Sequence, residues 1–268
     1  MIVSRFAPSP TGLLHLGHAF SALTAAAGAD RFLVRIEDLD HTRCRPAYEA
    51  AILEDLAWLG LRWETPVRRQ SAHMAEYGAA LRRLIEAGVA YRCFRTRREL
   101  AAESAHAPHG AGDVVRGGPA PDDAERLARG DAFAWRLWLD RCRDHLGARW
   151  DALGFEADGV WVAADPGRLG DAVIARKDFP ASYHIASVWD DALQGVTHVV
   201  RGEDLREAAH LHVLLQALLE LPTPRYRHHR LILGPDGKRL AKRDHAATLR
   251  SLRESGFTAQ AVRAMVGL

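Results

Sequence analysis

Lysine is nearly missing from this chain. Of 36 lysines and arginines only Lys177, Lys238 and Lys242 carry an ammonium group, and two of these three fall within 238–242. A chain that otherwise writes arginine and keeps ammonium groups there fits mobile point charges following a moving anion, where a planar guanidinium would be too rigid. Cysteine is scarce as well. Cys44, Cys93 and Cys142 are odd in number, far apart and free of C-x-C or C-x-x-C spacing, which excludes a disulfide framework and fits a reducing cytoplasm. No apolar run approaches the roughly 18 residues a membrane span requires. Met1 leads directly into a strand-like segment, so neither a membrane span nor a signal or transit peptide is expected. The formal net charge is only +2, which leaves local clustering as the route to nucleic acid. Arg92, Arg95, Arg97 and Arg98 form one such cluster, and Arg225, Arg227, His228, His229 and Arg230 another. A solvated face of an arginine-rich protein accounts equally well for each taken alone.

With 268 residues and 48% hydrophobic content, the chain can build one substantial α/β core with an insertion, or two modest domains. Strand-like apolar runs at 2–6, 32–36, 185–188, 196–200 and 231–233 alternate with helical patterns, the mark of a parallel sheet. A helix over 207–219 places Ala208, Leu211, Leu215 and Leu218 on one face. Another over 47–59, with Pro46 at its start, does the same for Tyr48, Ile52, Leu56 and Leu59. The Gly-, Pro- and Ala-rich stretch 105–123 reads as a loop. Two short helices, 246–255 and 258–266, are split by Gly256. There is no internal repeat.

Two stretches at opposite ends carry the chemistry. Pro8-Ser9-Pro10-Thr11-Gly12-Leu13-Leu14-His15-Leu16-Gly17-His18 is a proline-stiffened loop that leaves the first strand and enters an alanine-rich helix over 18–29. A helix start aims backbone N–H groups and a partial positive charge at one point, here joined by two imidazoles, as a phosphate chain needs. Lys238-Arg239-Leu240-Ala241-Lys242 follows the turn Gly234-Pro235-Asp236-Gly237, where flexible cations could close over those phosphates. H-x-G-H alone would be an ordinary helix start. The proline lead-in, an acidic Ile36-Glu37-Asp38, a Val200-Arg201-Gly202 element and the terminal lysines, in that order, favour a nucleotide site.

These residues resemble the glutamyl-tRNA synthetases, a family of class I aminoacyl-tRNA synthetases. The match rests on Arg5 to Gly12, His15-Leu16-Gly17-His18, Leu33-Val34-Arg35-Ile36-Glu37-Asp38-Leu39-Asp40, Tyr183-His184-Ile185-Ala186-Ser187-Val188-Trp189-Asp190-Asp191 and Thr197-His198-Val199-Val200-Arg201-Gly202-Glu203-Asp204. Glutaminyl enzymes usually read Pro-Glu-Pro-Asn-Gly at Pro8-Ser9-Pro10-Thr11-Gly12, so the glutamate side is favoured. After Arg243 too little chain remains for an anticodon-binding region, which makes the sequence similar to the truncated branch, the glutamyl-Q tRNA(Asp) synthetases. The resemblance implies a Rossmann-like α/β catalytic domain in two halves (1–90 and 166–235), an inserted α/β subdomain (91–165), and a lysine-motif loop with a short helical C-terminus (236–268). It implies a cytoplasmic monomer whose partners are L-glutamate, ATP with Mg2+, and tRNA(Asp) carrying queuosine.

By the same resemblance, His15, Gly17, His18, Lys238 and Lys242 bind ATP, with His15, His18 and Lys242 catalytic. Arg5, Ala7, Ser9, Glu37, Tyr183 and Arg201 bind glutamate. Arg5 and Arg201 offer planar forks for its two carboxylates and Glu37 with Tyr183 holds its ammonium; which arginine takes which carboxylate stays open. Glutamine leaves a guanidinium without a charged partner. Ala241 stands where the family usually has serine, removing a phosphate contact. Family members often hold zinc through a C-x-C pair after a tyrosine, but here Tyr91-Arg92-Cys93-Phe94-Arg95 supplies one thiol. Zinc is therefore expected to be absent, with Phe133, Trp135, Leu137 and Trp138 forming the insertion's contacts, or rearranged around His106 and His109. Asp38, Asp190, Asp191 and Asp204 read as structural or as groups that support the site residues from behind, and His41, His145, His198, His210 and His212 as structural. The alternatives are a truncated enzyme charging a tRNA 3′ end, another nucleotidyltransferase with the same H-x-G-H device, and a non-catalytic RNA-binding relative.

Overall fold

The computed structural model describes residues 1–96, 99, 115–177, 179, 181–232 and 247–268. Among these residues the strands are β1 (Val3–Phe6), β2 (Arg31–Ile36), β3 (Arg68–Arg69), β4 (Ala90–Cys93), β5 (Ala134–Leu137), β6 (Gly154–Ala157), β7 (Val160–Ala163), β8 (Val173–Arg176), β9 (His198–Gly202) and β10 (Arg225–His229). The helices are α1 (Leu16–Ala26), α2 (Pro46–Trp58), α3 (Met74–Glu86), α4 (Asp123–Ala128), α5 (Leu139–Leu146), α6 (Ala148–Asp151), α7 (Tyr183–Leu193), α8 (Ala208–Leu219), α9 (Leu249–Glu254) and α10 (Ala259–Met265).

Seven strands form one sheet in the order β3-β2-β1-β9-β10-β6-β7. All its pairs are parallel except the hairpin β6–β7 at one edge. From β1 the chain steps outward through β2 to β3, and much later returns with β9 on the other side of β1. That reversal opens a crevice beyond the carboxyl ends of β1 and β9, where open α/β sheets bind ligands. The sheet is buried on both faces. Val3, Leu33, Val199 and Tyr226 pack into one apolar cluster with residues of α3, α7 and α8. Phe6, Val34 and Val200 pack into a second with α1 and α2, which Leu249 and Val262 of the C-terminal helices complete.

The smaller sheet, β4-β5-β8, is antiparallel. Its strands interleave with the large sheet in sequence: the hairpin at 154–163 extends the large sheet, while 173–176 belongs to the small one. The aromatic contacts anticipated in this region are present, with Phe133 against Phe94 and Trp135 at ring distances of 5.4 and 5.6 Å and Leu137 fully buried. Polar organisation accompanies them. The buried Asp171 accepts hydrogen bonds from the Tyr91 hydroxyl (3.2 Å), Gly118 N–H (3.1 Å) and Leu139 N–H (3.0 Å).

Two expected strands are corrected. The apolar run at 185–188 lies inside helix α7, because a helix buried on several sides reads as a continuous apolar run just as an interior strand does. The run at 231–233 is not the strand either; Leu231 and Ile232 follow β10 without strand pairing, and Leu233 lies outside the described residues. Strand β10 alternates Arg225 and Arg227 outward with Tyr226 and His228 inward, a period of two that basic residues concealed. Part of the expected loop at 105–123 lies outside the described residues, and Asp123 begins α4. The two C-terminal helices are capped by Thr248 and Thr258, whose hydroxyls accept from the N–H of Ser251 and Ala261 at 3.1 Å each.

Candidate active site

The loop after β1 is fixed through its carbonyls. Pro8 O accepts from Glu37 N–H (3.0 Å), Ser9 O from Thr11 N–H (2.8 Å) and Pro10 O from Arg45 N–H (3.0 Å). The loop delivers His15 to the N-cap of α1, where its Nδ1 accepts from Gly17 N–H at 3.1 Å. Reciprocally, His15 N–H donates to His18 Nδ1 at 3.2 Å, closing a capping box of two imidazoles. With both Nδ1 atoms accepting, the ring protons sit on Nε2, so each ring presents a donor. The ring centroids are 3.9 Å apart. Gly17 makes this possible, since a Cβ there would stand 3.0 Å from His15 Cε1.

A cavity of about 300 Å³ opens in the crevice. Arg5, Ala7, Ser9, His15, Gly17, His18, Glu37, Tyr183 and Arg201 all line it, so the structure brings together every sequence-predicted site residue that it describes. Lys238 and Lys242 lie outside the described residues. The chain on either side of them meets the site: Ile232 lines the cavity, and Thr248 bridges to His15 while Leu249 N–H donates to Leu14 O at 2.8 Å. Asp204, left as structural by the sequence, also lines the cavity, as do Leu205, Leu231 and Ile232, an apolar group suited to a planar base. Gly202 leaves room for the Asp204 carboxyl, because a Cβ there would fall 2.4 Å from Asp204 Oδ1 and displace that side chain.

The two arginines of the pocket have different surroundings. Arg5 pairs with Asp191 through Nε (3.0 Å) and Nη2 (3.3 Å). The same carboxylate accepts from Arg35 Nη1 at 2.7 Å. Burial opposes the Asp191 charge, but Arg5 and Arg35 hold its carboxyl below the usual range. Arg35, completely buried, also approaches Glu37 Oε1 at 3.5 Å. In the sequence Arg35 stands out only as part of a motif, and Asp191 as a structural group or a support for the site residues, the second of which this pairing matches. Nothing local marked them as partners, since they are 156 positions apart.

Arg201, 4% exposed, has no carboxylate at ion-pair distance among the described residues. Its Nη1 approaches the Tyr183 hydroxyl at 3.5 Å and His212 Nδ1 at 3.4 Å, and its Nε donates to His228 Nε2 at 3.4 Å. Its guanidinium lies 5.1 Å from the Tyr226 ring centroid, and Nη2 has no hydrogen-bond partner. Across the cavity, burial pushes the Glu37 carboxyl up, with Arg35 and Arg5 opposing. Burial likewise raises the Tyr183 hydroxyl. The cavity lining therefore combines a guanidinium with no carboxylate partner among the described residues, a carboxyl raised by burial, and a helix start carrying two N–H imidazoles. Chemically, such a lining suits a ligand that carries both anionic groups and an ammonium.

The residues near Cys93 do not fit a zinc ion. Among the described residues no group of three or more His, Cys, Asp and Glu could hold a metal. Arg95, at the second position of the expected pair, donates from Nη2 to Gly118 O at 3.0 Å. Cys142 is a buried thiol whose Sγ donates to Val89 O at 3.8 Å; burial first and Asp171 second push it up to about 12. His106 and His109 lie outside the described residues. No helix among the described residues is long and apolar enough to cross a membrane.

The family model for the catalytic domain of class I tRNA synthetases (E and Q) matches residues 1–132 and 143–268. Fold and pocket thus define a class I aminoacyl-tRNA synthetase catalytic domain. The chain is 44% identical over 286 residues to a glutamyl-Q tRNA(Asp) synthetase of Rhodobacter capsulatus, covering 100% of both. It is 42% identical to one of Nocardia farcinica, covering 98% of this chain and 82% of that one. A solved glutamate tRNA ligase of Elizabethkingia meningosepticum superposes with a TM-score of 0.75 at 28% identity, covering all of this chain and 60% of the other. Within its class the chain belongs to the glutamyl-Q tRNA(Asp) synthetase family.

Proposed function

We propose that the protein activates L-glutamate with ATP and transfers the glutamyl group to the queuosine base in the anticodon of tRNA(Asp). The observation that carries the glutamate part is Arg201, a buried guanidinium lining the cavity with no carboxylate beside it. It takes the side-chain carboxylate, while Glu37 and the Tyr183 hydroxyl hold the ammonium. Arg5, its charge shared with Asp191, contributes to the wall beside Ala7 and Ser9. The α-carboxylate then attacks the α-phosphorus of ATP in line, forming the acyl-phosphate bond of glutamyl-adenylate as the bond to the β-phosphate bridging oxygen breaks and pyrophosphate leaves.

Such a displacement needs alignment and positive charge more than covalent help. His15 and His18 donate to the phosphates from Nε2, Gly17 lets the backbone approach, and Lys238 and Lys242 neutralise the departing pyrophosphate with its Mg2+. Removing one of these donors is expected to cost about 3 kcal/mol in the transition state, on the order of a hundredfold in rate. The family's own acceptor supports queuosine tRNA(Asp) as the second substrate, and the protein acts as a cytoplasmic monomer in this reading.

The test has two stages. Glutamate-dependent ATP–pyrophosphate exchange, lost in His15→Ala and Lys242→Ala, establishes activation; exchange unchanged by both substitutions rejects the site. Transfer of labelled glutamate to queuosine-containing tRNA(Asp), set against tRNA(Glu), then identifies the acceptor. A label that appears on tRNA(Glu), and that stays with the 3′-terminal adenosine after ribonuclease digestion, would make the protein a 3′-end charging enzyme instead.

A further inference from the structure

Two imidazoles meet the guanidinium on which glutamate recognition rests in the reading above, and a third stands behind one of them. His212, from α8, meets Nη1 at 3.4 Å, and His228, from β10, meets Nε at 3.4 Å. His184, from α7, meets His212 with Nδ1 to Nε2 at 3.2 Å. An arginine only donates, and that fixes every proton in the set. His212 accepts at Nδ1, carries its proton on Nε2 and donates to His184 Nδ1. His228 accepts at Nε2 and carries its proton on Nδ1, an atom with no hydrogen-bond partner.

We propose that His184, His212 and His228 form a cage that holds Arg201 in position without cancelling its charge, and thereby sets the preference of the pocket for glutamate over glutamine. They act through Arg201 and are positioning residues. A buried guanidinium needs acceptors to fix its plane. Carboxylates would serve that need and also discharge it, as Asp191 does for Arg5 in the same pocket. Neutral imidazoles satisfy N–H groups at Nε and Nη1 and leave a full positive charge for the ligand, strengthened by burial. Rejection of glutamine follows, because the neutral amide leaves that charge unmet. The imidazoles suit the task, being held neutral: burial first, and the Arg201 charge second, push His184 and His228 down to about 4 and His212 well below its usual range.

The test uses isosteric pairs that differ only in charge. An Asn or Asp oxygen falls near the place of Nδ1, so His212→Asn and His212→Asp are compared on the full chain. L-glutamate and L-glutamine are titrated calorimetrically, with thermal melting as the folding control. His212→Asn is expected to weaken glutamate binding modestly and to keep the glutamate-over-glutamine ratio. His212→Asp is expected to weaken glutamate by about a hundredfold and to collapse the ratio by at least about tenfold, because a carboxylate then discharges Arg201. Where His212→Asp does not fold, His228→Gln and His228→Glu make the same comparison from the other edge of the guanidinium. A merely structural role moves both members of each pair alike, and that result overturns the cage while leaving the proposed function standing. A parent protein that does not prefer glutamate overturns both.

Discussion

Arg5 and Arg201 line one cavity, are equally buried at 4% exposure, and serve opposite ends. Arg5 is held by Asp191, which also binds Arg35, so its charge is spent within the fold. Arg201 is held by two histidines and Tyr183, so its charge is left uncancelled among the described residues. Residue type does not separate an arginine neutralised within the fold from one that keeps its charge; the charge of its partners does. Neighbouring carboxylates show the same division. Asp191 is pinned below its ordinary range by two guanidinium groups, against burial, whereas Glu37 is pushed above it by burial despite Arg35 and Arg5.

The largest effect expected from this comparison is at Arg201. Arg201→Met should lower glutamate-dependent exchange by about a thousandfold, since the ligand carboxylate loses its only uncancelled partner among the described residues. Its stability should shift by less than about 1 kcal/mol, because the side chain removed has no ion-pair partner and leaves Nη2 unsatisfied. Asp191→Asn should do the reverse in kind. Two buried guanidinium groups lose their carboxylate, and denaturant unfolding should show a loss of roughly 3–5 kcal/mol. Equal stability losses in the two variants would dissolve the distinction.

A pH series sharpens it. Glu37 holds an ammonium only when ionised, so glutamate affinity should fall by up to tenfold per pH unit as pH drops through its raised folded-state value. The sign for stability is opposite. A carboxyl with a raised folded value contributes stability that is full below its unfolded value and lost as pH rises through the folded one. The free protein should therefore lose this contribution on the alkaline side, and the melting shift produced by glutamate should grow with pH. A shift that shrinks would place the ammonium elsewhere.

The smallest effect concerns Asp55, a fully buried carboxyl with neither oxygen hydrogen-bonded and Arg253 at 3.7 Å. Burial pushes it up to about 6, against Arg253. Its ionisation works against the fold as pH rises from about 4 through 6, so Asp55→Asn should raise the melting temperature at pH 7 and lose that advantage at pH 4. A destabilised variant at pH 7 would mean that the Arg253 attraction outweighs desolvation.

Legibility in the sequence followed the range of the interactions. The H-x-G-H motif was readable because the contacts that shape it span three residues or fewer, as with His15, Gly17 and His18, and the proline loop before it was readable from its composition, although Glu37 and Arg45 fix it from a distance. Strands β1, β2 and β9 are legible as apolar runs, while the apolar run inside α7 looks like a strand because burial on several sides erases its helical period. The alternation of β10 was hidden because its outward positions are arginine and its inward ones Tyr226 and His228. His212 passed as an ordinary core histidine, since its partner Arg201 comes from another element. Two neighbouring signals were available, the pairing of Tyr183 with His184 and of Asp190 with Asp191 inside one quoted motif, but neither says which side chain each will meet.

By itself the sequence determined the class of the fold, the proline loop and the imidazole pair at the helix start, because residue period, turn composition and helix-start chemistry are written locally. Tertiary structure alone decided which arginine keeps its charge. Arg5 meets a carboxylate 186 positions away, and Arg201 meets imidazoles brought by α8 and β10. Electrostatic character in a buried site is the sum over partners in space, and those partners are chosen by the order in which the strands and helices pack.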